Sequence, residues 1–529
     1  MDAETPAPPP APGRRSLVPN VIGSWATIAL SVVVTLVITP FVIRHLQHEL
    51  YGVWSFLNGL MVYSDLLYAG LGAALIRHVA ASAAREDHAS LNRVSSVVLS
   101  IYGAIGLLCL LVFALLGPLV PHLFAQPLPA DAQRATTLAC VLLGVQLLGS
   151  FVGSAFTGVL FGLDRNDLIS LMRVGMMITR AAAILLLLPS SPSPLIGLAA
   201  ITATFAVAEA AGYACLAFRI DRRLLLRPAL PTRAELKDLY SFGLQSFFVL
   251  MALTLIAYTD TTVIGVMLGA SFVAWYALPL QLLEYVRIAA TATCGVLLPR
   301  LTVLAENGDT AGLQEAYARA MRITMAFASF CLANVLFLGA PFLSIWVGAE
   351  FGQQARPIIG LLAAATWVHI LAVTVPMAFC QARKTLAVPA RMLMIEAVAN
   401  LVLSVALAPW LGIAGVAVGT LVPAVFVGGV VLPRHLYRDL GLDWRAPARA
   451  LVPSAIMLAL VSLTLWILGH LVADTSYVVL AFKASTTAVP AVVIVMAFFP
   501  DAERQWIIES STRAAALPAR AVAALRARR

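Results

Sequence analysis

The sequence predicts an all-α polytopic membrane protein of about 14 transmembrane helices. They form two six-helix lobes related by a parallel internal repeat, plus two extra C-terminal helices. Three observations predict this. First, the 529 residues are 61% hydrophobic and only 12% charged, with a mean hydropathy of +0.91. A soluble domain carries about 25% charged residues, because a polar surface must cover its core. Second, the apolar residues gather into runs of roughly 20, the length that crosses hydrocarbon as a helix. Third, the pattern recurs about 220 residues further on.

The runs cover 19–43, 52–76, 94–117, 136–162, 168–188, 194–218, 240–267, 271–298, 320–347, 357–381, 386–409, 411–433, 449–471 and 476–499. Residues 1–18, with "PAPPPAPGRR", read as a disordered cytoplasmic tail. Many runs follow the first, so it reads as a span and not a removable signal. The N-lobe is then 19–218, a cytoplasmic linker 219–239, the C-lobe 240–438, the two added spans 439–500 and a basic cytoplasmic tail 501–529. In the linker, Thr232-x-x-Glu235 is a capping-box pattern that starts a helix. The basic tail reads as an interfacial segment on an anionic leaflet.

The net charge of +9 sits in short loops, which argues against nucleic acid as the partner. Of 35 lysines and arginines, 28 fall in segments assigned to the inside; only Arg44, Arg134 and Arg356 fall in outside loops. Such a bias places both termini in the cytoplasm. The six cysteines all lie in apolar runs without a CxxC pair and read as small buried hydrophobes. There is no HExxH, GxSxG or metal-ligand cluster, so no metal and no cofactor is expected. None of the three lysines follows a glycine, so no phosphate loop for ATP hydrolysis exists.

The repeat is legible in two places. "ELYGVWSFLNG" and "ASFVAWYALPL" bring Trp54 and Trp275 into register at an offset of 221. "RHVAASAARED" and "RLTVLAENGD" match at 222–223. Parallel repeats of this kind build transporters whose site lies between the halves.

Asp65, Arg173, Arg180, Glu209, Asp260, Glu284, Arg287, Glu396 and Lys483 fall inside predicted spans. A charge at mid-bilayer costs about 2.5–3.5 kcal/mol on insertion scales, so each needs a partner, a wet cavity or a ligand. Arg173 is shallow enough to snorkel; Arg180, on nearly the same face, is deeper, and the two together suit a phosphate. Glu284 and Arg287 stand three apart and can neutralise each other on one helix. The repeat also sets Arg287 opposite Asp65, which suits a central cavity. Both readings stay open. Polar stripes run along span one (Asn20, Ser24, Thr27, Ser31, Thr35), span two (Ser55, Asn58, Asp65) and span seven (Ser241, Gln245, Thr254, Tyr258, Asp260). His369 stands alone in span ten and reads as a packed core residue.

"LQHELYGVWSFLNGLMVYSDLLYAGLGAALIRHVA", "SFGLQSFFVLMALTLIAYTDTTVIGVMLGASFVAWYALPLQLLEYVR" and "LLPRLTVLAENGD" resemble the polysaccharide transporter (Wzx-type oligosaccharide flippase) family of the multidrug/oligosaccharidyl-lipid/polysaccharide exporter superfamily. The resemblance covers about residues 17–500. It implies a non-enzymatic, multi-pass protein of the bacterial inner membrane that moves undecaprenyl-diphosphate-linked oligosaccharide from the inner to the outer leaflet by alternating access. Its partners would be that lipid-linked oligosaccharide, membrane lipids, and polysaccharide polymerase and chain-length machinery. On this reading Arg287, Arg180, Arg77 and Lys483 are candidates for the diphosphate. Asn58, Gln245, Tyr258 and Tyr276 would meet the glycan. Asp65, Asp260, Glu284 and Glu396 would serve gating or ion coupling. The alternatives are a lipid II flippase, although that branch places arginines in its first span, a drug or cation antiporter of the same superfamily, and an integral polysaccharide polymerase or ligase. The last would normally need a larger outside loop than this chain has.

Overall fold

A computed structural model describes residues 17–68, 71–233, 235, 244–295, 298–383, 385–439, 445–501 and 503–505. All regular structure among them is helical. The main helices are α1 Leu17–Ser64, α2 Leu71–Ala84, α3 His88–Leu116, α4 Ala130–Gly162, α5 Asn166–Leu187, α6 Pro194–Ile220, α7 Leu244–Met267, α8 Ala270–Gly295, α9 Leu298–Glu306 and α10 Thr310–Trp346. They continue with α11 Ala349–Ala382, α12 Ala387–Leu411, α13 Ile413–Arg434, α14 Arg445–Leu471 and α15 Tyr477–Phe498.

Twelve helices among the described residues are long and apolar enough to cross a membrane, against about fourteen expected. The difference has two sources. The first two expected spans lie in one helix, α1, which turns at Gln47 (φ 60°, ψ 175°) and counts once. The eighth, α8, carries Gln281, Glu284 and Arg287 and is not among the twelve. The second span is also broken: α1 ends at Ser64, a 3₁₀ turn covers Asp65–Tyr68, and α2 resumes at Leu71. The proline-rich tail, Ser241 and most of the basic C-terminal segment lie outside the described residues, as do the side chains of Asn20, Ser24 and Thr27.

The backbone repeats itself in register. Left-handed residues occur at Gln47 and Gly269, and again at Glu86 and Gly308, each pair 222 residues apart. Asp87 and Asp309 are also 222 apart, and both cap a long helix: they accept from the amides of Ser90 (3.0 Å) and Gly312 (2.9 Å). The second copy puts glycine at each left-handed position, where the conformation costs least.

In the first half, α4 packs against α3 and α6; in the second, α12 packs against α7 and α13. The added helix α14 lies along α10. Arg322 at the foot of α10 donates to Glu503 at 2.8 and 2.5 Å, and Asn334 donates to Thr487 at 3.3 Å, so polar contacts also join α15 to α10. The halves meet where α1 lies against α7 and α8. There Gly52 comes so near the Ala270 carbonyl that a methyl group on it would collide with backbone. Trp346 Nε1 donates to the Leu36 carbonyl at 2.8 Å and ties α10 to α1.

The linker after α6 is an extended strap laid along α3. The amides of Leu225, Arg227 and Ala229 donate to Asn92 Oδ1 (2.9 Å), Ser96 Oγ (3.1 Å) and Ser100 Oγ (2.9 Å). Every second strap residue thus meets every fourth helix residue. The match is geometric: four helical residues rise about 6 Å and two extended residues advance about 6.6 Å. Arg93 locks the end, donating to Glu235 at 2.9 and 3.1 Å. The Thr232–Glu235 capping box forms as expected: the Thr232 amide donates to Glu235 Oε2 (2.7 Å), and the Glu235 amide to Thr232 Oγ1 (3.2 Å).

Candidate functional site: a cavity between the two halves

A cavity of about 810 Å³ opens between the second half of α1, α7 and α8, with further walls from α4, α11, α12 and α13. Seven of the expected residues line it: Asn58, Asp65, Tyr258, Asp260, Glu284, Arg287 and Glu396. They converge because the polar stripes of spans two and seven turn towards α8. Asn58 satisfies its amide by donating to the Trp54 carbonyl at 2.7 Å.

Glu284 and Arg287 pair on α8 as their spacing predicts. Arg287 Nε donates to Glu284 Oε2 at 2.7 Å and Nη2 to Oε1 at 2.5 Å. The pair is also open to the cavity, with side chains 38% and 37% exposed. The two sequence readings therefore describe one arrangement: a neutralised pair on a cavity wall. The contacts use Nε and Nη2, so Nη1 can serve another acceptor.

Asp260 sits deeper, at 2% exposure. Its Oδ2 accepts from the Tyr276 hydroxyl and from Thr420 Oγ1, both at 2.6 Å. Asp260 Oδ1, Glu396 Oε2 and both polar atoms of the Asn400 side chain are buried without a partner among the described residues. An unpartnered buried polar atom costs about 1–3 kcal/mol. Tyr276 has no exposed surface, which corrects its expected contact with a glycan: here it positions Asp260.

The other candidates lie elsewhere. Arg180 borders a second, smaller cavity with Arg173 and Glu209. Arg77 is exposed on α2 and does not line the central cavity. Lys483 is corrected as a diphosphate candidate. It is 1% exposed, and its Nζ donates to the Val472 carbonyl and to Asp474 Oδ1, both at 2.6 Å, so its charge is already matched. The side chain of Gln245 lies outside the described residues. Gln281, His369 and Thr420 also line the cavity, which no local sequence pattern signals. Thr420 is the lone hydroxyl between Ile413 and Val431, a weak signal because helical hydroxyls usually bond their own preceding turn.

Comparisons with known proteins agree with this architecture. The family described as "Polysaccharide biosynthesis protein" matches residues 20–305. The chain is 24% identical over 443 residues to the uncharacterized membrane protein EpsK of Bacillus subtilis (strain 168), covering 80% of this chain and 83% of that one. In structure it is similar to the inward-facing conformation of a multidrug resistance MATE family transporter of the MOP superfamily: the TM-score is 0.64 at 15% identity, over 77% of this chain and 95% of that one. It is also similar to the lipid II flippase MurJ in an inward closed conformation: the TM-score is 0.63 at 12% identity, over 93% of this chain and all of that one (100%). This chain therefore belongs to the polysaccharide biosynthesis protein family, as a multi-pass membrane protein with the fold of the MOP superfamily.

Proposed function

We propose that the protein is a flippase that carries an undecaprenyl-diphosphate-linked oligosaccharide from the inner to the outer leaflet of a bacterial inner membrane by alternating access, for polysaccharide assembly. The observation that carries this reading is the cavity between the halves, which sets the guanidinium of Arg287 among groups able to meet a sugar. An arginine fork matches phosphate oxygens in pairs. Asn58, Gln281 and Tyr258 offer the amides and ring that glycan hydroxyls favour. Asp260 and Glu396, buried and underbonded, are the proposed coupling groups: a proton or cation arriving there would favour one state of the cycle over the other.

A second reading has its own observation. The cavity is lined by four acids, Asp65, Asp260, Glu284 and Glu396, against one arginine. That balance suits a cationic substrate exchanged for protons or sodium. Two of the four acids are buried, at 2% exposure each, so they weigh less on a substrate than the half-open Glu284–Arg287 pair. Expression in a strain lacking its oligosaccharide flippase separates the readings. A flippase restores surface polysaccharide; an antiporter leaves it missing and raises resistance to cationic dyes.

A further inference from the structure

The second cavity lies between α1, α5 and α6, holds about 320 Å³, and shares no lining residue with the central one. Its polar lining is Ser31, Arg173, Arg180 and Glu209. Arg173 and Arg180 stand seven residues apart on one face of α5, and each is seven residues from an end of that helix. Each is therefore about 10 Å inside the nearer end of the helix at 1.5 Å per residue. Both are exposed. Glu209 is the single acid there, and it is already engaged by the Tyr213 hydroxyl at 3.0 Å. Two guanidiniums face one carboxylate, leaving an excess positive charge at membrane depth.

The fold does not require this charge. Counted from the first residue of each helix, Arg173 and Arg180 of α5 correspond to Met394 and Leu401 of α12, its counterpart in the second half. The same element is thus built once with arginines and once with apolar side chains. In exchange, α12 presents Glu396 to the central cavity. At membrane depth this one element carries two arginines in the first half and a glutamate in the second.

We propose that the α1–α5–α6 cavity is a binding site for the phosphate group of a lipid headgroup. A cavity at this depth is reached by an amphiphile whose chain stays in the bilayer. Phosphate oxygens would give the two arginine forks paired acceptors, and Phe205 with Met176 and Met177 would line the apolar approach. The site stands on its own residues, whether or not the flippase reading holds.

Native mass spectrometry of the purified full chain tests it, with titrations of dioleoyl phosphatidic acid, undecaprenyl phosphate, dioleoyl phosphatidylcholine and inorganic phosphate. We expect one phosphate-monoester lipid retained per protein, with phosphatidylcholine and inorganic phosphate at least tenfold weaker. The stronger of the two monoester lipids identifies the source, glycerolipid or polyprenyl. Arg173→Gln with Arg180→Gln should weaken retention at least tenfold, whereas Arg356→Gln, exposed on α11 and outside both cavities, should not change it. Glu209→Gln should tighten it severalfold by removing the opposing charge, and this variant carries the test if the glutamine pair does not accumulate. Unchanged retention in the arginine pair, equal retention of inorganic phosphate, or no tightening in Glu209→Gln would overturn the proposal.

Discussion

Arg287 holds Glu284 by two parallel hydrogen bonds, at 2.7 and 2.5 Å, on the wall of the central cavity. Replacing such a pair as a unit is often neutral for folding, whereas removing one partner strands a charge. Glu284→Gln with Arg287→Gln should therefore reach the membrane at wild-type levels and still lose complementation. Arg287→Lys keeps the charge without the planar fork and should lose about tenfold in transport. Immunoblots of the membrane fraction beside polysaccharide yield check both. Normal yield from the double variant would confine the pair to a structural role.

The Asp260 corner makes a separate prediction. Tyr276→Phe removes one of two short bonds to the carboxylate and should cost transport about ten- to a hundredfold, the worth of a hydrogen bond to a charged group. Asp260→Asn should uncouple transport from an imposed proton or sodium gradient. Uptake into proteoliposomes with and without each gradient reads this out. A fully gradient-driven Asp260→Asn protein would remove Asp260 from coupling.

The strap on α3 is expected to respond to acid. The Arg93 guanidinium and the Thr232 amide hold the Glu235 carboxyl down at about 2, below its ordinary 4.5. A depressed carboxylate stabilises the folded strap above its unfolded value, and that contribution fades as pH falls from about 4.5 to 2. Pepsin should nick the linker faster in Arg93→Ala than in wild type at pH 4.5. The two rates should converge towards pH 2. A constant ratio would mean that the ion pair does not hold the strap.

Gly52 is expected to tolerate no side chain. Its neighbour is the Ala270 carbonyl, which is backbone and cannot swing away. Gly52→Ala should destabilise the closed contact between the halves by about 1–3 kcal/mol, the usual cost of overpacking. A fall in Tm of several degrees, with reduced transport, is the expected outcome. An unchanged Tm would show that the helices separate there without cost.

Much of this was legible in the sequence because hydrocarbon is a strict solvent. Apolar runs of span length and a repeat of about 220 residues need only local patterns; the backbone fixes that repeat at 222, one residue from the Trp54–Trp275 offset of 221. Glu284 and Arg287 were readable as a pair because three residues on one helix meet by geometry alone. Asp260 with Thr420 was not: the partners lie 160 residues apart, and a lone threonine in an apolar helix ordinarily bonds its own turn. The strap was hidden for a similar reason. Ser96 and Ser100 look like ordinary helical hydroxyls, and only packing reveals the linker amides they receive. Lys483 misled because Asp474, which neutralises it, lies in the turn before its helix and outside any span pattern.

Leaflet translocation by the purified protein tests the central claim most directly. Proteoliposomes would carry a fluorescent undecaprenyl-diphosphate oligosaccharide, and an impermeant quencher would report how much of it changes leaflet with time. A flippase predicts loss of protection without ATP by the wild-type protein, and at least tenfold slower by the Glu284→Gln, Arg287→Gln double variant. No translocation by the wild type under either a proton or a sodium gradient, together with gradient-driven exchange of a cationic dye, would contradict it.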